Sequence, residues 1–213
     1  MSFQSVKLGG FNHDGRSDLL FRRNTDGLLS LYLLNGFQVS PAQTIKAIGA
    51  DWNLEAVADF NGDGTSDMIF RRPSDGRLAM LLMDGGQPVG TQVIGAIGIE
   101  WDIIAAADFN GDGRADLLFR RKSDGMLSLT LMSGFQALSA KFLGAIGLDW
   151  ELVGVGDLNA DGRADILFRR KGDGMVALLS HKWFPGYLRE SARSSWQRLD
   201  PCSRCRFERR RRR

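Results

Sequence analysis

The stretch Asp59-Phe60-Asn61-Gly62-Asp63-Gly64-Thr65-Ser66-Asp67 decides the fold, because its pattern occurs four times along the 213-residue chain. The copies begin at residues 10, 59, 108 and 157, so each begins 49 residues after the one before. A fixed period of this length indicates a repeat architecture. Within each copy, oxygen-bearing side chains alternate around a glycine, as a short loop must arrange them to bind a hard cation.

Each complete loop offers side-chain oxygens at positions one, three, five and nine and a backbone carbonyl at position seven. Ca²⁺ takes roughly six to eight oxygen ligands of these kinds. The predicted ligands are Asp59, Asn61, Asp63, Thr65 and Asp67, then Asp108, Asn110, Asp112, Arg114 and Asp116, then Asp157, Asn159, Asp161, Arg163 and Asp165. The first copy begins with Gly10, so it predicts a weak or empty site, with Asn12, Asp14, Arg16 and Asp18 as its remaining ligands.

Two further features of the loop favour calcium. Gly64 at position six permits the positive φ that turns the ligands around one point, and three neighbouring carboxylates would repel one another without a cation between them. The loop is not an EF-hand, which needs a glutamate at position twelve, where this copy has Phe70. The alternative is an Asn/Asp/Gly turn that binds nothing, but three copies in fixed register favour the metal site.

The whole 49-residue unit repeats, and one unit reads as four short strands. In the second unit the predicted strands are residues 54–60, 67–72, 78–83 and 91–94, separated by turn signals such as Asp75-Gly76. Four strands per unit of this length predict the blade of a β-propeller. The apolar run Met68-Ile69-Phe70 predicts a strand covered on both faces.

Two aromatic and basic motifs also recur in each unit. Trp52, Trp101 and Trp150 stand one period apart, and we expect them in the core between blades rather than on a ligand platform. Phe-Arg-Arg recurs at residues 21–23, 70–72, 119–121 and 168–170. The arginine pairs are expected at a solvated rim, paired with nearby aspartates; a ring of arginines facing an anionic partner is the alternative.

These motifs together resemble the FG-GAP-like, VCBS-type repeat found in the integrin alpha-chain propeller, in large bacterial surface proteins and in a fungal propeller lectin. The resemblance covers residues 1 to about 180. It implies Ca²⁺ in the loops, on the ligands named above. It also implies an extracellular or cell-surface role in binding or adhesion, with a protein or glycan partner. The chain itself opens with no signal-peptide pattern.

The repeat body and the tail differ in sequence. Residues 1–180 hold about 3.7 units, beginning near residues 1, 50, 99 and 148, with 17 Lys and Arg against 22 Asp and Glu. Residues 181–213 carry 11 Lys and Arg against 3 Asp and Glu and share nothing with the repeats. We expect this tail to be disordered or out of frame; a basic nucleic-acid or membrane-surface arm is the alternative. Its Cys202 and Cys205 lack further ligands for a zinc site.

The function expected from the sequence is binding rather than catalysis. Neither His13 nor His181 belongs to a catalytic constellation, and the repeated aspartates are better explained as metal ligands. The leading prediction is a calcium-binding propeller module for extracellular protein binding or adhesion, with no nucleic-acid partner in the repeats and no membrane span. A carbohydrate-binding lectin and a structural segment of a larger secreted enzyme are the alternatives. The repeats predict an open arc of blades, or part of a larger ring, that self-associates; a closed four-bladed ring is the alternative.

Overall fold

The four repeats fold into four antiparallel sheets, which we call blades one to four. The computed structural model describes residues 3–180 and 197–199. Blade one contains β1 (Phe3–Gly9), β2 (Asp18–Arg23), β3 (Leu28–Tyr32) and β6 (Gln43–Ala47), and β4 (Leu34–Asn35) and β5 (Gln38–Val39) form a small hairpin beside them. Blade two contains β7 (Asn53–Ala58), β8 (Asp67–Arg71), β9 (Arg77–Asp84) and β10 (Gln87–Ala96).

Blades three and four repeat the same meander. Blade three contains β11 (Trp101–Ala107), β12 (Asp116–Arg121), β13 (Met126–Ser133) and β14 (Gln136–Ala145). Blade four contains β15 (Trp150–Gly156), β16 (Asp165–Arg170), β17 (Val176–Leu179) and β18 (Gln197–Leu199). The first strands of neighbouring blades contact one another, so β1, β7, β11 and β15 lie innermost, around the axis. The prediction of an all-β propeller of four-stranded blades is confirmed, and no helix occurs in the described part of the chain.

The second strands of the two interior blades, β8 and β12, are largely buried because apolar side chains of both neighbouring blades cover them, whereas β2 and β16 are covered on one face only. Every residue of β8 is buried, as the continuous apolar run predicts. In blades one to three the fourth strand lies at the outer edge and is mostly exposed. Strand β10 is ten residues long, whereas the sequence predicts only residues 91–94. The sequence does not predict the full length of β10, because an outer edge strand needs no apolar alternation to be stable in the sheet.

Three hydrophobic clusters, one in each seam between consecutive blades, form the core. The first joins Leu20 and Leu31 of blade one to Met68 and Phe70 of blade two, all fully buried. The second joins blades two and three, and the third joins blades three and four. No such cluster joins blade four to blade one among the described residues. The blades therefore form an arc with three packed seams.

The tail contributes one element that the sequence does not predict. Gln197–Leu199 pairs with β17 as the fourth strand of blade four. The other tail residues lie outside the described part of the chain, so the expectation of a disordered or out-of-frame tail stays a prediction. The described residues contain no long apolar helix that could cross a membrane.

Candidate functional site

The four repeated loops connect the first and second strands of their blades, so they all lie on the same side of the arc, one in each blade. Position six is a glycine in every loop, with φ between 74° and 87°. Position four also takes a positive φ, 80° at Gly62 and 62° at His13. L-residues rarely adopt this conformation, so glycine favours the turn at position six in every loop and at position four in the second and third loops. The loops share this conformation whether or not the leading aspartate is present.

The side-chain oxygens at positions one, three and five face the backbone of their own loop. In the second loop, Asp59 accepts hydrogen bonds from the backbone N–H groups of Gly62 at 2.6 Å and Gly64 at 2.8 Å. The Asn61 carbonyl oxygen accepts from the N–H of Asp63 at 3.0 Å, and its amide donates to the Asp63 carboxylate at 2.7 Å. These bonds hold two carboxylates and one amide oxygen within five residues.

The third and fourth loops repeat this bonding. Asp108 accepts from Gly113, and Asp157 accepts from Gly162, at 2.8 and 2.9 Å. The hydrogen bond from Gly162 is the main reason that the pKa of Asp157 is lowered. The pKa of Asp63 is also lowered: its partial burial acts to raise the value, but hydrogen bonds from Thr65 and Asn61 outweigh that effect. Both carboxylates are thus held in the charged form that a cation needs.

The aspartate at position nine has a structural role that the spacing does not reveal. Asp67 is fully buried, and its oxygens accept hydrogen bonds from the backbone N–H groups of Phe60 and Met83, both at 2.9 Å. Burial raises its pKa to about 7, with the nearby Asp63 and Asp59 adding to the shift. Asp18 and Asp116 bind the equivalent N–H groups in blades one and three. Position nine therefore ties the loop to the end of the third strand.

Position seven differs chemically between loops. The Thr65 hydroxyl lies 2.6 Å from the Asp63 carboxylate and 2.7 Å from the Met83 carbonyl, and it can donate to one of them at a time. Arg114 instead places its guanidinium 2.9 Å from the Asp112 carboxylate. In the third loop an internal cation thus already neutralises part of the charge at position five.

The first loop keeps the fold without the leading carboxylate. Asn12 and Asp14 exchange the same bonds as their equivalents, at 3.0 and 3.2 Å. His13 at position four has its Nε2 atom 2.8 Å from Asp84 of blade two. The first loop is therefore held by protein contacts, and its prediction as a weak metal site stays a prediction.

The donor types in the complete loops fit a hard cation. Every carboxylate oxygen has two lone pairs, and the N–H bonds described above leave further capacity on Asp59 and Asp63. Within the described residues, however, no group of three Asp, Glu, His or Cys side chains could by itself hold a metal ion. The Asn61 amide oxygen and backbone carbonyls would have to supply the other ligands, which is the mixture that Ca²⁺ accepts.

The first arginine of the Phe-Arg-Arg motif does not lie on a solvated rim in blades one to three, and that expectation is wrong for Arg22, Arg71 and Arg120. Arg22 is 1% exposed and Arg71 is 6% exposed. Arg71 donates to the backbone carbonyls of Gly98 and Trp101, in the segment that enters the next blade. Arg120 makes the equivalent bonds to Gly147 and Trp150. The first arginines of blades one to three therefore anchor each of these blades to the next.

The second arginine agrees with the rim interpretation. Arg72 binds Asp75 through two hydrogen bonds and lies over the Trp52 ring, 5.3 Å from its centroid. The same arrangement occurs at Arg121 with Trp101 and at Arg170 with Trp150. The three tryptophans pack against the seam clusters, so their expected place in the core between blades is confirmed.

A cavity of about 240 Å³ lies between the inner strands, and two polar residues that do not repeat line it. They are Lys7 and Glu55, and the rest of the lining includes Val57 and Ile104. Glu55 occupies the repeat position of Ile104, and burial raises its pKa. Neither residue belongs to the site predicted from the sequence, although both stand out because the other repeats have apolar residues or glycine at the same positions.

Comparison with known proteins agrees with this architecture. The FG-GAP-like repeat model matches residues 10–70 and 59–119, so the chain belongs to the FG-GAP-like repeat family. A similar solved structure, described as showing specific recognition of non-reducing terminal N-acetylglucosamine by a lectin of Agrocybe aegerita, aligns with a TM-score of 0.62 and 20% identity. The alignment covers 83% of this chain and 52% of that one, so this chain spans about half its length. No curated protein matches the sequence.

Proposed function

We propose that this chain is a calcium-binding β-propeller module that acts outside the cell by binding a protein or glycan partner, and not as an enzyme. The family and the fold support a binding module. The observation that carries the calcium part is the common conformation of the three complete loops. In each, the carboxylates at positions one and five and the amide at position three are fixed within one tight turn.

Calcium would supply a positive charge between the carboxylates of each complete loop. Asp59 and Asp63 lie close together, and backbone N–H dipoles and neutral side-chain donors of the same loop offset their charge. A divalent cation between them would convert repulsion into attraction. Affinity is expected to be modest, with Kd on the order of 10⁻⁴ to 10⁻³ M, as in extracellular modules.

Calorimetric titration with CaCl₂ tests the proposal. We expect binding at up to three sites in the wild-type chain and one site fewer in Asp63→Ala or Asp112→Ala. Asp26→Ala is the matched control, because Asp26 pairs with Arg23 away from the loops. Absence of binding heat at millimolar Ca²⁺ would contradict the calcium proposal, and equal loss in the control would show a general effect on folding.

A lectin is the second candidate, favoured by the similarity in fold to the N-acetylglucosamine-specific lectin structure. A glycan array probed with and without a chelator would separate the two candidates. Glycan binding that the chelator abolishes would favour a calcium-dependent lectin. If no glycan binds while calcium does, a protein partner is favoured.

A further inference from the structure

Blades one and four each present an apolar face that the interior blades bury. We define the blade-one face as Leu19, Phe21, Tyr32 and Leu34, all of them partly exposed. Their equivalents in blade two are fully buried against blade one: Met68, Phe70, Leu81 and Met83. The Phe21 and Tyr32 rings meet edge to face, with centroids 5.3 Å apart. The blade-one face thus has the apolar composition of a seam.

Blade four shows the opposite half of a seam. We define the blade-four face as Leu158, Leu167, Val176 and Leu178. Leu158 is 59% exposed and the others are partly exposed. Their equivalents in blade three, which pack against blade four, are at most 5% exposed: Phe109, Leu118, Leu127 and Leu129.

The polar contacts of the seam also end at these faces. In each seam an N–H at loop position eight donates to the carbonyl at position one of the preceding blade: Ser66 to Gly10, Ala115 to Asp59 and Ala164 to Asp108, at 2.6–2.7 Å. The next pair in this series would be the N–H of Ser17 and the carbonyl of Asp157. Both residues are exposed and belong to opposite ends of the arc.

Arg169 shows that the contacts of the seam also stop at blade four. Its equivalents Arg71 and Arg120 donate to carbonyls of the following blade. Arg169 instead binds Glu151 of its own blade, and its side chain is 57% exposed. It is therefore positioned to anchor a blade that follows blade four.

We propose that the blade-four face of one copy of this chain binds the blade-one face of a second copy, head to tail. The occupant is a second copy because the two faces are the two halves of the seam that this sequence already forms three times. Such an interface is heterologous, since each copy contributes a different surface. Pairing of two like faces would bring two position-one carbonyls, or two position-eight N–H groups, together and lose the seam hydrogen bond.

Mixing two face variants tests this geometry. Leu178→Asp places a charge on the blade-four face, and Tyr32→Asp places one on the blade-one face. Light scattering coupled to size exclusion should show concentration-dependent self-association of the wild-type chain and the mass of one chain for each variant alone. An equimolar mixture of the variants should have the mass of two chains, because each supplies the face that the other lacks. A wild-type chain that stays monomeric at high micromolar concentration overturns the proposal, as does a mixture that stays monomeric or a single variant that still dimerises.

Disulfide trapping gives a second test that does not depend on these substitutions. A Cβ atom at Gly62 would lie 3.1 Å from Arg114 Cγ, and one at Gly111 would lie 3.1 Å from Arg163 Cγ. The equivalent pair between copies is Ala160 with Arg16. With both native cysteines replaced by serine, a chain carrying Ala160→Cys should crosslink to one carrying Arg16→Cys. It should crosslink at least tenfold less to one carrying Phe37→Cys, a fully exposed control site. Equal crosslinking at both sites would contradict the head-to-tail seam.

Discussion

The carboxylate of Asp67 joins two strands of blade two, because it accepts a hydrogen bond from the backbone N–H of Met83, 16 residues away, at 2.9 Å. Its other oxygen accepts from the backbone N–H of Phe60, at the start of the same loop. Both bonds are buried, so water cannot replace them. One side chain thus couples the predicted metal loop to the third strand of its blade.

Asp67→Asn should destabilise the chain even without calcium. The substitution turns one acceptor into an NH₂ donor facing a buried N–H, which leaves at least one backbone group without a partner. Such a loss costs roughly 1–3 kcal/mol per group. The neutral Asn avoids the cost of burying a charge, which is the cost that raises the pKa of Asp67, so we expect a net decrease of about 1–2 kcal/mol in the free energy of unfolding. Urea denaturation in the presence of a chelator measures it.

Asp63→Asn is the control for that prediction, since Asp63 lies in the same loop but on its exposed side. Without calcium it should cost under about 1 kcal/mol. In millimolar calcium the difference in unfolding free energy between the two variants should become smaller, because Asp63→Asn then also loses the stabilisation that its bound ion provides. Equal destabilisation by both variants in chelator would mean that position nine has no special structural role.

Calcium should raise the melting temperature of the wild-type chain. An ion that binds only the folded state adds RT ln(1 + [L]/Kd), about 1.4 kcal/mol per site at ten times Kd. Three independent sites would add about 4 kcal/mol, and for a chain of this size roughly 10 °C. Differential scanning calorimetry with CaCl₂ and with chelator measures the shift, and Asp112→Ala should retain about two thirds of it. An unchanged melting temperature would count against all three sites.

Replacing a first arginine should matter only where a following blade exists. Arg71→Met would remove buried donors from the carbonyls of Gly98 and Trp101 and should cost about 1–3 kcal/mol. Arg169→Met is the matched control: its partner is Glu151 at the exposed surface, where ion pairs contribute little. Denaturation should be followed at low micromolar concentration, where copies of the chain are separate. Similar losses in the two variants would refute the anchoring role.

The fold could be predicted because its determinants lie close together in the sequence and recur. The 49-residue period fixes the number of blades, and the Asp75-Gly76 turn fixes a hairpin within one of them. The seams could be anticipated too, since Met68-Ile69-Phe70 reads as a strand covered on both sides. Local pattern was sufficient because each blade contacts mainly its neighbours.

The roles of the polar residues were harder to infer because they depend on contacts distant in sequence. Loop spacing alone suggests Asp67 as a ligand, and nothing local indicates its bond to Met83. The burial of Arg71 did have a signal: alternation along a strand puts it on the same face as Ile69, which faces the next blade. The two arginines were interpreted together as one motif, so the burial of the first and the exposure of the second were not distinguished.

Glu55 should make the stability of the chain fall as pH rises above about 4.5. Its carboxyl lines the axial cavity, where burial raises its pKa above the ordinary value of 4.5, against the opposing effects of Arg71, Lys7 and Lys122. Because the folded chain holds this proton more tightly than the unfolded chain, ionisation favours unfolding, and the effect is complete once pH exceeds the folded pKa. Glu55→Ile, which restores the residue found at the equivalent position 104, should therefore raise the melting temperature at pH 7 and have a smaller effect at pH 4. Glu55→Gln separates charge from polarity and should recover part of that gain. If the wild-type chain melted at a higher temperature than both variants at pH 7, the charged carboxylate would stabilise the inner strands instead.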